Sequence, residues 1–305
     1  MSDTFIIGCG DIGVRVARLE QARGRTVAGL ARNAAGAERL RAFGIEPTMG
    51  DLDDAASLAN LPTAGKLLYY FAPPPGGGPW DTRTRNFCAA LDPAQAPAKV
   101  VYISTSGVYG DCGGEWVTEE TPVNAQTSRA KRRLDAETAL FAWGKETGAA
   151  VVILRVTGIY GPGRLPLARL QQGHPVLNEA ESPPTNRIHA DDLAGVCMAA
   201  ADRAADGEIF NVSDGQPGTM TQYFNAAADL LGLPRPPQVT MAQAQQVMTP
   251  MMLSYLTETR RMDNRKLREQ LGVTLRYPEL ESGLKNVIEQ LDLPNMGYLG
   301  SVGHE

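Results

Sequence analysis

The chain has 305 residues, 43% of them hydrophobic, which is enough length and apolar material for one large or two modest domains around a buried core. Its 29 Lys and Arg against 34 Asp and Glu give a formal charge of -5, so nucleic acid and anionic membrane surfaces are not expected partners. Four scattered cysteines (Cys9, Cys88, Cys112, Cys197) form no CxxC pair, and the N-terminal stretch has no basic n-region, long apolar segment or cleavage site. Neither a metal site, a disulfide framework nor export is therefore expected, and a reducing cytoplasm fits the composition.

In chain order, TFII, RTVAGLA, KLLYYFA, KVVYIS and AAVVILRV are β-type runs separated by Ala, Leu, Arg and Glu-rich helical patterns. This rhythm predicts βαβ units and a parallel sheet. The runs are apolar at nearly every position, as strands are when helices cover both faces of the sheet. After Arg155 the rhythm breaks into GIYGPGRLPL and a Pro-rich loop, NEAESPPTN. It returns for one helix from Ala190 and one strand, EIFNVS, and the remainder is predicted mostly helical, ending in the amphipathic helix of LRYPELESGLKNVIEQL and a loose tail.

The first strand runs straight into GCGDIG, Gly8 to Gly13, which opens a helical pattern. Strand, GxGxxG loop and helix within the first βαβ unit together form a dinucleotide-binding signature. Gly8 permits the turn, Gly10 lets the backbone approach a pyrophosphate, and Gly13 lets the helix pack on the strand. The phosphate is then held at the helix N-terminus, where Asp11 and Ile12 lie. At the end of the second strand, AGLARNAAG carries no acid until Glu38 to take a ribose 2′-hydroxyl. After Ala31, Arg32 stands where a guanidinium can pair with a 2′-phosphate, so NADP is expected ahead of NAD. GDL at Gly50–Leu52 puts Asp51 and Leu52 within reach of the adenine, while Phe71, Ala72 and Pro73 start a stiff loop beside the phosphates and ribose.

Four more segments, ISTSGVYGDCGG at Ile103, LRVTGIYGPG at Leu154, NRIHADDLAG at Asn186 and EIFNVSDGQPGTMTQYF at Glu208, follow GCGDIG in order. Together they resemble the extended short-chain dehydrogenase/reductase superfamily of the NAD-dependent epimerase/dehydratase type. The resemblance implies an α/β architecture, with a Rossmann-type doubly wound parallel sheet over residues 1–157 plus about 187–213. It also implies a small, discontinuous, mostly helical C-terminal substrate domain over about 158–186 and 214–293, with the tail at 294–305. The hydroxyl that bonds the reacting oxygen would come from Thr105, with Ser106 as its neighbour.

The family's acid/base is the Tyr of a YxxxK motif on the next helix, here QTSRAKRRLDAETALFAW. One register puts Arg129 and Arg133 at the Tyr and Lys positions; another puts Thr127 and Lys131 there. No tyrosine lies between Tyr109 and Tyr160, so the chain resembles the atypical branch that lacks it. Arginine cannot be deprotonated and so cannot be the base. Tyr109, His189 and Lys131 are the substitutes to weigh. Arg133 can bond the nicotinamide ribose, Arg129 can recognise an anionic substrate group, and Arg155 reads as structural. Two functions stay open: an NADP-linked oxidoreductase or epimerase acting on a small carbonyl or alcohol substrate, and a silent dinucleotide sensor. The resemblance also implies a homodimer through the helices flanking the central strands.

Overall fold

The computed structural model describes residues 3–291, so the tail expected to be loose from residue 294 lies outside the described residues. Seven strands form one sheet: β1 (Thr4–Ile7), β2 (Val27–Ala31), β3 (Glu46–Met49), β4 (Leu67–Tyr70), β5 (Lys99–Thr105), β6 (Ala150–Val156) and β7 (Ile209–Val212). Their order is β3-β2-β1-β4-β5-β6-β7, and every neighbouring pair is parallel. Parallel pairing requires crossovers, here supplied by α1 (Asp11–Ala22), α2 (Ala34–Ala42), α3 (Thr82–Ala90), α4 (Ser128–Thr147) and α5 (Ala190–Arg203).

Alternate residues of the same strands serve different cores, which is why the strands read as apolar throughout. Ile6, Val27, Tyr69, Val101 and Val152 pack with α1, α2 and α5 through Val16, Leu40 and Leu193. Phe5, Tyr70, Val100, Tyr102 and Val151 pack on the other face with Phe87 of α3 and with Leu140 and Trp143 of α4. β3 is the edge strand, with Glu46 and Met49 exposed and Pro47 tolerated there because one side needs no ladder hydrogen bond. The chain leaves β1 in one direction and β4 in the other, so a crevice opens at their carboxyl ends, the usual ligand position in such sheets.

A further core joins Tyr160, Leu170, Val176, Tyr223, Phe224 and Leu284. It is built on α6 (Met220–Leu231), started by a Thr219–Gln222 capping box and ended by left-handed Gly232, and on α7 (Leu280–Glu289). Several strand pairs escape the sequence periodicity because they are only two or three residues long. Gly158–Tyr160 pairs with Arg187–His189, Pro184–Thr185 with Gly218–Thr219, and Val176–Leu177 with Gln238–Val239. Trp116–Val117 pairs with Arg261–Met262, stitching the loop after β5 to a segment almost 150 residues away.

Candidate functional site

The glycines of the first loop do three different things. Gly8 has φ +94°, and a Cβ there would lie 2.4 Å from the Ala72 nitrogen, so it is required by the close passage of the β4 loop. A Cβ on Gly13 would lie 2.6 Å from the Gly8 carbonyl oxygen, which is how closely α1 sits on the loop. A Cβ on Gly10 would meet nothing within 4 Å. The space over Gly10 is thus open, and Gly10 is also the N-cap of α1, with no side chain to satisfy the first-turn N–H groups. An uncapped helix N-terminus below open space is the geometry that suits a pyrophosphate. Ile12 is buried beneath it, while the Asp11 carboxylate is held by Arg15 at 2.8 Å and Arg164 at 2.7 Å, which leaves its backbone N–H as the group to offer.

Beside the loop lies a hollow of about 150 Å³ lined by Gly8, Leu30, Arg32, Asp51, Leu52, Ala72 and Arg83. Arg32 follows Ala31 at the β2 terminus and is exposed, without a hydrogen bond or ion pair among the described residues. Arg83, which sequence reasoning missed, donates from Nε and Nη2 to the Asp53 carboxylate at 2.8 and 2.6 Å and from Nη1 to the Pro73 carbonyl at 3.3 Å. No motif marked it, because its place in the hollow comes from the packing of α3 beside the Asp51–Asp54 turn. Phe71 and Ala72 each donate their N–H to the Ile7 carbonyl, fixing the β4 loop against β1.

α4 begins at Ser128, with Thr127 as its N-cap accepting from the Ala130 N–H, so Thr127 stands outside the helix and the register of Arg129 and Arg133 is the one on a common helix face. Arg133 Nη1 donates to the Tyr102 hydroxyl and the Ile103 carbonyl, both at 2.9 Å, clasping the carboxyl end of β5. Arg132 donates to the Gly77 and Gly78 carbonyls, closing the proline-glycine loop from outside. Lys131 points to solvent.

A cleft of about 300 Å³ runs from the β5 terminus to the segment 254–260 and is lined by Thr105, Ser106, Arg129, Thr157, Tyr255 and Arg260, among others. The Thr105 hydroxyl accepts from the Gly107 N–H at 3.2 Å, capping the turn at Ser106–Tyr109 and keeping its own proton for another acceptor. Arg129 Nη1 donates to the Tyr255 hydroxyl at 2.9 Å. Arg260 is bonded to the Gly110 carbonyl and lies 3.4 Å from Glu258. Tyr255 and Arg260 sit in TPMMLSYLTETR, a stretch without a motif, and only the fold brings them here.

Two expected substitutes do not reach this cleft. Tyr109 is 1% exposed, and its hydroxyl donates to Asn211 at 2.8 Å and accepts from Arg155 at 3.0 Å, with burial raising its pKa. It belongs to a buried network in which Arg155 is paired with Glu137 at 2.8 Å and Glu137 accepts from Ser104. This corrects the expectation that Tyr109 takes part in catalysis. His189 is fully buried, its Nδ1 accepts from the Asp191 N–H to cap α5, and burial pushes its imidazole below the usual histidine range.

Sheet order and glycine loop define an α/β protein of the NAD-binding Rossmann type. The chain belongs to the NAD dependent epimerase/dehydratase family, whose model matches residues 5–213. Protein YeeZ of Escherichia coli strain K12 is 29% identical over 246 residues, 78% of this chain and 86% of that protein. A conserved protein of unknown function from Silicibacter pomeroyi is 31% identical, with a TM-score of 0.78 over 95% of this chain and 99% of its own. MoeE5, solved with UDP-glucose and NAD, is 22% identical, with a TM-score of 0.72 over 94% of this chain and 97% of its own, a likeness of fold alone. Among the described residues no helix is long and apolar enough to cross a membrane, and no group of three or more His, Cys, Asp or Glu can hold a metal ion.

Proposed function

We propose that the chain is an NADP-linked oxidoreductase acting on a small carbonyl or alcohol substrate that carries an anionic group. The observation that carries this reading is Arg32, which has no hydrogen bond or ion pair among the described residues and lines the hollow beside the glycine loop, at a β2 terminus where no acid stands before Glu38 to take a free ribose hydroxyl. A nicotinamide dinucleotide bound along the loop supplies or takes up a hydride. The first-turn N–H groups of α1 hold its pyrophosphate and Arg32 its 2′-phosphate. Thr105 offers its hydroxyl proton to the substrate oxygen, and Arg129 and Arg260, partly offset by Glu258, leave the far end of the cleft cationic. At about 300 Å³ the cleft is at the small end of ligand pockets, roughly 300–1,000 Å³, which favours a small acid over a sugar nucleotide.

Titration of the wild type and Arg32→Ala with NADPH and NADH tests the cofactor choice. A charge-assisted hydrogen bond of about 1.5–3 kcal/mol translates into a rise of roughly 10- to 150-fold in the NADPH Kd, with the NADH Kd unchanged. Equal effects on both cofactors would refute the role of Arg32. The arginine at position 129 also favours a second reading, a dinucleotide sensor without turnover. That reading predicts NADPH binding with no oxidation of NADPH by any small carbonyl.

A further inference from the structure

The tyrosine absent from α4 is met by another on the opposite wall of the cleft. The helix Pro250–Thr257 starts with proline in its first turn and Thr249 as N-cap, which accepts from the Met252 N–H. Leu256 of that helix is buried against Leu177 and Ala244, while its neighbour Tyr255 is 47% exposed and lines the cleft with Thr105 and Ser106. Arg129 Nη1 donates to the Tyr255 oxygen at 2.9 Å, and the guanidinium lies 4.7 Å from the ring centroid. The Tyr255 O–H itself has no acceptor among the described residues.

We propose that Tyr255 is the catalytic acid/base, held in place by Arg129; this rests on the oxidoreductase reading above. Arg129 occupies the helical position from which the family's tyrosine would reach the substrate oxygen. Arginine and tyrosine side chains have similar reach, so a hydroxyl bonded to the end of Arg129 lies beside the point where a tyrosine at 129 would place its own. Arginine cannot surrender a proton, whereas a phenol can, and the guanidinium then stabilises the oxygen left behind. The tyrosines behind the cleft are committed to the interior: Tyr109 to Asn211 and Tyr102 to Arg133. In the reductive direction the carbonyl carbon gains a hydride from a reduced nicotinamide dinucleotide and its oxygen takes the Tyr255 proton. The phenolate, bonded to Arg129, regains a proton from water, and alcohol oxidation is the reverse.

The test follows NADPH oxidation by a panel of small 2-oxo acids and aldehydes, with NADPH affinity measured separately by fluorescence. Tyr255→Phe should lower kcat at least 100-fold, the lower end of a general acid's contribution of about 10²–10⁴, with the NADPH Kd unchanged. Adding Arg129→Tyr to Tyr255→Phe, which returns the phenol to α4, should recover a substantial part of kcat. A kcat within threefold of wild type for Tyr255→Phe, or a loss confined to KM, would overturn the proposal and leave the oxidoreductase reading standing. A wild type that binds NADPH but turns over no member of the panel would sink that reading and this assignment with it.

Discussion

Replacing Gly10 by alanine separates binding from folding more cleanly than any other change in the glycine loop. Gly10 has φ -75°, an ordinary value for alanine, and its new methyl would meet no protein atom within 4 Å. Removing backbone freedom from the unfolded chain at such a compatible site stabilises the fold by about 0.4–1 kcal/mol. The methyl enters the space over the uncapped α1 N-terminus, so a pyrophosphate can no longer approach the first-turn N–H groups. Losing two charge-assisted hydrogen bonds at about 1.5–3 kcal/mol each raises the Kd for NADPH by more than about 100-fold. Gly8→Ala is the contrasting control: its methyl meets the Ala72 backbone at 2.4 Å in a left-handed conformation, and it should lose stability outright. Urea unfolding and NADPH titration of both variants provide the two readouts. Gly10→Ala binding NADPH within threefold of wild type would refute the placement of the pyrophosphate on this loop.

Burial raises the Asp214 carboxyl from 3.8 to about 6, against the N–H of Gln216 and the charge of Arg187, which pull the other way. A raised acid contributes stability that is present below 3.8 and lost as pH rises through 6, so Asp214→Asn should be more stable than wild type at pH 7.5, by at most about 3 kcal/mol. That advantage should vanish near pH 4 in urea titrations, and a constant difference across pH would contradict the assignment. Glu137→Ala leaves the buried Arg155 guanidinium without its carboxylate and should cost about 3–5 kcal/mol in urea unfolding at pH 7. A cost below 1 kcal/mol would show that the pair does not organise the floor beneath Thr105.

The sheet was legible because its signals are local. Strands buried on both faces leave unbroken apolar runs, and GCGDIG needs only its strand and helix to be recognised. The absence of tyrosine on α4 was equally plain, as was the basic character of RAKRR. What each arginine does was not legible, because Arg129, Arg132 and Arg133 reach three unrelated partners whose positions depend on other elements. Tyr109 misled for the reverse reason: its motif signals the cleft, but its own side chain turns into the core toward Asn211. Tyr255 and Arg83 carry no motif, and each depends on a contact spanning 126 and 30 residues respectively.

Binding of a nicotinamide dinucleotide by the glycine loop and the hollow beside it, with the 2′-phosphate on Arg32, is tested most directly by titrating the wild-type protein with NADPH and NADH, followed by nicotinamide fluorescence. The expected result is saturation at one dinucleotide per chain, with NADPH bound at least about tenfold more tightly than NADH. The absence of a saturable signal with either dinucleotide would contradict it.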